Sequence, residues 1–379
     1  MNQKQHKRSA FSGKIGFVLS AAGASVGLGN IWRFPYLAAK YGGGIFLLIY
    51  IILAFTFGYT MIVAETALGR MTRKSPVGAF AAVRKGRRSF GGWINAIIPI
   101  LIVPYYSVIG GWVIRYLADY VSGHGSELAT DGYFSAFISS GASAEICFVI
   151  FTIFTLAIIF AGVRNGVERV SKVMMPILVV LSVIIAGYSV TRPGALEGVK
   201  YFLVPNIANF SWMTVVTAMG QMFYSLSIAM GILFFTLVLF AAVTSSIALT
   251  ESAVSTFEDE LGWDRKQATV LIGIIMLVLG SLSALGYGPL ARFTVFGMQF
   301  LDFFDFLTNS VMMPIAAITI CLLVSRVIGV EKIEEEVTLE GKPFRRKRIF
   351  NFMIKYLCPI FAAIILISSV ANALGVISM

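Results

Sequence analysis

The chain has 379 residues, of which 58% are hydrophobic and only 13% are charged, and its formal net charge is +11. Soluble domains carry about 25% charged residues, so this composition excludes a soluble enzyme and indicates a protein with several membrane spans. Because the basic residues concentrate in loops between apolar runs, they follow the positive-inside pattern and argue against a nucleic-acid partner. We expect the lipid bilayer to surround this chain.

Apolar runs long enough to cross a bilayer predict about nine spans. They cover residues 14–38, 43–69, 94–121, 145–163, 173–191, 212–250, 265–288, 292–325 and 350–376. A basic tail at residues 1–12 predicts a cytoplasmic N-terminus, which places the loops 70–88 and 164–172 in the cytoplasm. Residues 13–379 are expected to form one transmembrane domain, with a cytoplasmic loop at 326–349 that folds as a hairpin or a short helix.

Residues 20–35 lie in an apolar span but include residues that disfavour a lipid-exposed helix: Gly23, Ser25, Gly27, Gly29, Asn30, Arg33 and Pro35. In a helix, glycine costs about 1 kcal/mol and proline about 3 kcal/mol, and a charge at membrane depth costs at least ~2.5 kcal/mol. Freed backbone carbonyls are tolerated at this depth only where protein buries them or where they line a cavity. The stretch predicts a broken helix that binds a ligand. The alternative is a kinked structural helix with small residues for close packing.

The sequence contains no pattern typical of catalysis or metal binding. His6 lies in the tail and His124 lies in a predicted outer loop, so neither is placed to activate a nucleophile. The Gly-x-Gly pair at residues 27–29 follows no predicted strand, which excludes a dinucleotide fingerprint. The cysteines lie within apolar runs and are expected to be packing residues: Cys147, Cys321 and Cys358. We therefore predict no enzyme, no disulfide and no structural metal site.

The run from Trp212 to Thr250 contains no charged residue and is too long for one span. As a single helix it would extend about 57 Å, against a hydrocarbon core of about 30 Å. As two spans it would need a turn, for which the sequence offers only Gly231. Hydroxyl-rich clusters in this run are candidate cation ligands: Gln221, Tyr224, Ser225 and Ser227, and then Thr244, Ser245 and Ser246.

Six motifs lie in or beside the predicted spans: Gly-x-Gly-Asn-x-Trp-Arg-Phe-Pro at 27–35, Gly-Gly-Gly at 42–44, Glu65-Thr-x-x-Gly69-Arg70, Gly166-Val-Glu-Arg, Gly220-Gln-x-Phe-Tyr-Ser-Leu-Ser and Thr244-Ser-Ser. Together they resemble the neurotransmitter:sodium symporter family, in its bacterial amino-acid branch. The resemblance runs from about Arg8 to the C-terminus. It implies an all-α polytopic membrane protein of the broken-helix, inverted-repeat (leucine-transporter-like) fold, located in the bacterial inner membrane.

The resemblance also implies roles for individual residues. Its second sodium site corresponds to Gly23, Val26, Ala241, Thr244 and Ser245, and its first sodium site to Ser25, Asn30 and Ser225. The substrate would lie against Ala24, Gly27, Gly29, Ile102, Tyr106, Tyr224, Ser227, Met230 and Leu249. The outer gate corresponds to Arg33 and Asp305, and the inner gate to Arg8 and Asp259.

Gly27 bears on the class of substrate that the resemblance implies. Members of the family that transport amines have aspartate at this position, where it pairs with the substrate ammonium group. Glycine leaves room for a substrate that brings its own carboxylate, which favours an α-amino acid. The apolar residues expected around the pocket favour a hydrophobic or aromatic side chain on that amino acid: Ala24, Ile102, Met230 and Leu249.

The chain departs from the family pattern at residues 231–234. There the sixth-helix motif is followed directly by sequence that resembles the middle of the eighth helix, so the second repeat is expected to be incomplete. The missing stretch would hold a seventh-helix asparagine of the first sodium site and the chloride-site position, which leaves chloride use open. A natural shortened paralogue, an error in the gene sequence and an engineered deletion all remain possible explanations.

The function that the resemblance implies is sodium-coupled import of an amino acid by alternating access. The alternative is a transport-inactive shortened paralogue that acts as a binding, sensor or interaction protein in the membrane. A passive channel is less favoured, because paired gate charges suit occlusion better than an open pore. The sequence leaves the oligomeric state and the sodium stoichiometry open.

Overall fold

A computed structural model of the chain describes residues 13–40, 42–84, 90–204, 228–339, 341 and 343–376. Within these ranges the regular structure is helical, apart from an isolated bridge between Val295 and Met298. The predicted all-α fold is therefore confirmed. The chain packs as two compact units: Met1–Phe46, Val103–Glu251 and Thr269–Phe293 form the first, and Leu47–Ile102, Ser252–Ala268 and Thr294–Met379 form the second.

The described helices follow one another along the chain with short connections. The first ten are α1 (Lys14–Ser25), α2 (Phe34–Lys40), α3 (Gly44–Leu53), α4 (Tyr59–Thr72), α5 (Pro76–Val83), α6 (Phe90–Val121), α7 (Tyr133–Ser139), α8 (Ala142–Phe160), α9 (Arg169–Val190) and α10 (Ala195–Leu203). The others are α11 (Ile228–Leu261), α12 (Arg265–Leu285), α13 (Phe300–Asp305), α14 (Met313–Leu322), α15 (Val330–Thr338), α16 (Lys347–Phe352) and α17 (Cys358–Ala373).

Several of these helices continue into one another through π-helical turns, in which the backbone is wound more widely than in an α-helix. Within the described ranges the π-helical segments are Gly29–Arg33, Ala54–Gly58, Val163–Glu168, Phe306–Met312, Leu323–Ile328 and Met353–Leu357. A π-helical turn of this kind carries the chain from α3 into α4, and another carries it from α16 into α17. Each joined pair forms one long rod.

Eight of the described helical rods are long and apolar enough to cross a membrane. The shorter apolar helix α1 falls in the remaining predicted span. Each predicted span thus overlaps a helix, and the main difference is at α11. This helix continues to Leu261, eleven residues beyond the apolar run. The segment Glu251–Leu261 is helical but contains charged residues, so a search for apolar runs does not include it.

Glycines set the packing of α6 against α8 in the first unit. A Cβ on Gly111 would lie 2.6 Å from the backbone nitrogen of Phe148, and one on Gly110 would lie 2.5 Å from the Phe151 ring. Phe148 and Phe151 are fully buried. The two helix backbones therefore approach more closely than any larger residue at these positions would allow, as small residues commonly permit in membrane proteins.

The second unit has its own apolar core, in which α15 covers the ends of longer helices. Ile333 of α15 is fully buried in a cluster that includes residues of α4, α14, α16 and α17. The guanidinium of Arg70 donates hydrogen bonds to the side-chain carboxylate of Glu336 and to the backbone carbonyl of Glu336. Of the two forms expected for the 326–349 loop, the structure shows a short helix at Val330–Thr338, and polar contacts at its surface hold it in place.

Glu334, on the same helix, is expected to lose its stabilising contacts in acid. Its carboxylate accepts hydrogen bonds from Lys347 at 2.5 Å and from Asn351 at 2.8 Å. Burial alone would raise the pKa of Glu334, but these two contacts outweigh it and hold that pKa below its usual value. Such a group stabilises the fold above its unfolded pKa of about 4.3, and the contribution is lost as the pH falls through the lower, folded pKa.

The measurement is the pH dependence of thermal unfolding for the wild type and for Glu334→Gln. Between neutral pH and about pH 3, the wild type should lose up to ~1 kcal/mol more than the variant. Parallel profiles for the two proteins would show that the contact contributes nothing to stability.

Candidate sodium and substrate site

The first span is interrupted where its glycines cluster. Helix α1 ends at Ser25, Val26 leaves the helical region with φ −95° and ψ 88°, and a π-helical turn begins at Gly29. Asn30 stabilises the interruption, because its side-chain oxygen accepts a hydrogen bond from Gly27 N–H at 3.1 Å while its own N–H donates to the Gly27 carbonyl at 3.1 Å. The predicted break in this helix is confirmed.

The hydrogen bonds of Asn30 free two backbone carbonyls. In an uninterrupted helix, Gly27 N–H would donate to the Gly23 carbonyl and Asn30 N–H would donate to the Val26 carbonyl. Here both N–H groups are used within the Asn30 turn. The carbonyls of Gly23 and Val26 therefore need other partners, as buried backbone acceptors do.

These two carbonyls face a hydroxyl on α11. Ser245 Oγ lies 3.1 Å from the Gly23 oxygen and 3.3 Å from the Val26 oxygen. Within α11, Thr244 Oγ1 donates to the Phe240 oxygen at 2.9 Å and lies 3.2 Å from the Ala241 oxygen, and a Cβ on Gly23 would be 3.1 Å from the Thr244 Cβ. The structure thus brings together all the residues predicted for the second sodium site, and we call them the carbonyl–hydroxyl cluster: Gly23, Val26, Ala241, Thr244 and Ser245.

The chemistry of this cluster suits a small hard cation. A serine hydroxyl has one proton to donate, so Ser245 satisfies only one of its two carbonyl neighbours at a time. The cluster offers oxygen atoms alone, which hard cations prefer over nitrogen or sulfur. Because its members are neutral, a monovalent ion such as sodium fits the cluster better than a divalent ion, whose sites ordinarily include carboxylates.

Part of the predicted substrate site is arranged around the same break. Tyr106 Oη accepts a hydrogen bond from Leu28 N–H at 3.0 Å. A Cβ on Gly27 would lie 2.8 Å from Ser245 Oγ and 2.9 Å from Tyr106 Oη, whereas a Cβ on Gly29 would meet no atom within 4 Å. Ala24 is exposed. The break therefore presents one crowded glycine and one glycine that borders open space.

Two predicted substrate residues are not brought together. Met230 and Leu249 both lie on α11, which runs without interruption from Ile228 to Leu261. Nineteen residues of continuous helix separate them by about 28 Å, so they cannot line one pocket. The chain does not turn at Gly231, the one residue that the run offers for a turn, since Gly231 lies within the helix and packs against Tyr120.

The remaining predicted site residues are not shown in contact with the carbonyl–hydroxyl cluster, or they lie outside the described ranges. Ser25 Oγ donates to Ala21 O at 2.9 Å within its own helix, and Ile102 belongs to the second unit. Asp305 Oδ1 accepts a hydrogen bond from Asn309, and Asp259 Oδ2 accepts one from Ser75 N–H, each at 2.6 Å. Outside the described part of the chain lie Arg8, Tyr224, Ser225, Ser227 and the side chain of Arg33.

Sequence reasoning missed the backbone role of Asn30 and the bond between Tyr106 and Leu28. The resemblance places Asn30 in the first sodium site, and the structure shows a further role, in which its side chain shapes the break. The only sequence signal was local: asparagine three residues after a glycine is suited to a turn in which its side chain bonds to nearby backbone. The Tyr106 contact joins residues 78 positions apart, and no local pattern reports it.

An all-helical fold with several membrane-length rods and a broken first span defines a polytopic membrane protein of the transporter type. The profile of the Sodium:neurotransmitter symporter family matches residues 8–128, 134–233 and 230–376. The chain belongs to this family, whose members are transporters and not enzymes. The last two matched stretches meet at residues 230–233, close to the predicted junction.

Individual relatives support the same assignment. The chain is 28% identical to the sodium-dependent transporter YhdH of Bacillus subtilis over 456 aligned positions, which cover 99% of both chains. It is 26% identical to a sodium-dependent transporter of Haemophilus influenzae, over 97% of this chain and 100% of the relative. A crystal structure of MhsT in complex with L-phenylalanine matches with a TM-score of 0.82 and 26% identity, over 96% of this chain and 100% of MhsT.

The alignments are longer than the chain itself, which has 379 residues. Several tens of positions in each of the two bacterial relatives therefore have no counterpart here.

Proposed function

We propose that this protein is a sodium-coupled symporter that imports an amino acid with a hydrophobic or aromatic side chain by alternating access. The carbonyl–hydroxyl cluster is the observation that carries the proposal, because it joins the broken first span to α11 through oxygen atoms alone. Sodium is a co-substrate in this proposal, and its gradient supplies the driving force. The protein would lie in the bacterial inner membrane with a cytoplasmic N-terminus.

The surroundings of Gly27 support an amino acid as the substrate. Hydroxyl groups of Ser245 and Tyr106 lie where an aspartate side chain would begin, so an acidic residue at Gly27 would have to displace both of them. The substrate would instead carry its own carboxylate. Tyr106 accepts a hydrogen bond from Leu28 N–H, and its hydroxyl, which also contacts Ser245, would turn its proton toward that carboxylate when the substrate binds. The MhsT structure, in which that relative binds L-phenylalanine, supports an aromatic side chain.

Two further parts of the proposal extend the resemblance. Ser25, Asn30 and Ser225 would hold the first sodium ion. Arg33 with Asp305 would close the outer side, and Arg8 with Asp259 would close the inner side. Asp305 and Asp259 already accept short hydrogen bonds from neighbours on their own unit, so gate closure would add a cation to an existing polar contact.

A transport-inactive shortened paralogue is the second candidate, and one observation favours it. The continuous α11 keeps Met230 far from Leu249, although a complete pocket would need both. Such a protein would still bind sodium at the carbonyl–hydroxyl cluster, because Ser245 contacts the carbonyls of Gly23 and Val26. It would act as a binding, sensor or interaction protein.

Uptake of labelled amino acids into proteoliposomes distinguishes the two candidates. With an inward sodium gradient, the symporter should accumulate a hydrophobic or aromatic amino acid, and a choline gradient of the same size should give none. Sodium-dependent binding of such an amino acid without uptake would support the inactive paralogue. The absence of sodium-dependent uptake across the proteinogenic amino acids would contradict the symporter.

A further inference from the structure

The guanidinium group of Arg346 stacks on two aromatic rings at the surface of the second unit. Its Cζ lies 5.4 Å from the centre of the Phe55 ring and 5.2 Å from the centre of the Tyr59 ring. Phe55 and Tyr59 are four residues apart and so share one face of the Gly44–Thr72 rod. Aromatic faces attract a cation within about 6 Å, so these rings fix the position of the guanidinium.

The surface around this arginine is apolar and exposed. Phe55 is 59% exposed, and on the neighbouring rod Phe352 is 55% exposed and Tyr356 is 58% exposed. Both rods are long and apolar enough to cross a membrane, so their exposed apolar faces are expected to contact lipid. Tyr59 also lies about 16 Å along its helix from Arg70, the residue that binds Glu336. The guanidinium of Arg346 therefore lies farther into this rod than the Arg70–Glu336 contact, at a level where we expect lipid.

Two carboxylates of α15 are engaged with other cations. Glu334 pairs with Lys347 at 2.5 Å, and Glu336 pairs with Arg70 at 2.5 Å. In the described ranges no ion pair involves Arg345, Arg346 or Arg348, and all three are exposed. A cation–π contact leaves the five N–H donors of a guanidinium without a hydrogen-bond acceptor. Beside exposed apolar side chains, an anionic group is an acceptor that these donors can bind.

We propose that Arg346, with Arg345 and Arg348 beside it, binds the phosphate headgroup of an anionic phospholipid. Arginine binds phosphate through paired N–H groups, and its planar group stacks on aromatic rings at the same time. The exposed Phe352 and Tyr356 would contact the acyl chains. A free phosphate ion would leave this apolar surface uncovered, so the lipid is the occupant that the site fits. The positive-inside prediction assigns the site to the cytoplasmic leaflet.

Native mass spectrometry of the purified full chain tests the proposal with phosphatidylglycerol and phosphatidylcholine as probes. The wild type should retain phosphatidylglycerol in preference to phosphatidylcholine. Arg346→Gln should weaken that retention about tenfold, which is the scale of one lost hydrogen bond to a charged group. Arg346→Lys, which keeps the charge but loses the planar stacking group, should give an intermediate value.

Lys332→Gln is the matched control. Lys332 is an exposed cation on α15 in the same loop, and it stacks on no aromatic ring in the described residues. Its replacement removes the same charge and should leave phosphatidylglycerol retention unchanged. An equal loss in both glutamine variants would mean that net charge alone attracts the lipid, and would overturn the proposal. Unchanged retention in Arg346→Gln would overturn it as well.

A second measurement separates lipid from free phosphate and detects a misfolded variant. Thermal unfolding in phosphatidylcholine nanodiscs is compared with and without added phosphatidylglycerol, and with added inorganic phosphate. The wild type should gain stability from the lipid and not from phosphate, and Arg346→Gln should unfold cooperatively without that gain. An equal gain from inorganic phosphate would overturn the assignment of the site to a lipid.

Discussion

Replacement of Ser245 by alanine is expected to raise the sodium concentration that half-saturates binding or uptake by about tenfold or more. The hydroxyl of Ser245 lies between the carbonyls of Gly23 and Val26, so its loss removes one proposed ligand and the link between the first span and α11. Removal of one partner from a buried polar group costs about 1–3 kcal/mol, and a tenfold change in affinity corresponds to about 1.4 kcal/mol. The measurement is substrate binding or uptake over a series of sodium concentrations.

Ser246→Ala provides the control for this experiment. Ser246 is the next residue on the same helix and is equally buried, but its hydroxyl lies 3.4 Å from Thr155 and not at the break. Its loss should leave the half-saturating sodium concentration unchanged and cost about 1 kcal/mol of stability. If Ser245→Ala and Ser246→Ala bind sodium alike, the carbonyl–hydroxyl cluster does not hold the ion.

Gly111→Ala is expected to destabilise the first unit by about 1–3 kcal/mol, which is the usual cost of overpacking. The added Cβ would lie 2.6 Å from the Phe148 nitrogen and 2.7 Å from the Cys147 carbonyl carbon. Both atoms are backbone atoms of α8, so no side-chain rotation relieves the contact and the two helices have to separate. Thermal unfolding in detergent measures the effect.

Gly187→Ala is the matched substitution for comparison. Gly187 lies within α9, and a Cβ there would meet no atom within 4 Å. Alanine forms helix more readily than glycine by about 1 kcal/mol, so this variant should be neutral or slightly more stable than the wild type. If both alanine variants unfold like the wild type, the close contact between α6 and α8 does not limit stability.

The break in the first span could be predicted because glycine, proline and charge act locally. Gly23, Gly27 and Pro35 disfavour a lipid-exposed helix whatever surrounds them. The contact between Gly23 and Ser245 is different, because 222 positions separate these residues. No periodicity reports such a pairing, and only resemblance to a family suggested it.

Other features were beyond sequence reasoning for physical reasons. Glu251–Leu261 continues α11, although the apolar pattern stops before it, because a helix that has already formed extends at little cost when its side chains are charged. The position of Arg346 depends on rings contributed by Phe55 and Tyr59 from a distant part of the chain. A basic run in the sequence predicts attraction to a membrane surface, but it does not say which cation is already paired.

The turn made by Asn30 has one more consequence for how this protein responds to ions. Its hydrogen bonds compete directly with those of a regular helix, because Gly27 N–H and Asn30 N–H have one partner in each arrangement. A cation that binds the carbonyls of Gly23 and Val26 favours the interrupted backbone, and an interrupted backbone binds the cation more tightly. In the proposed symporter, ion binding and the interruption of this helix would therefore be thermodynamically coupled, so that each promotes the other.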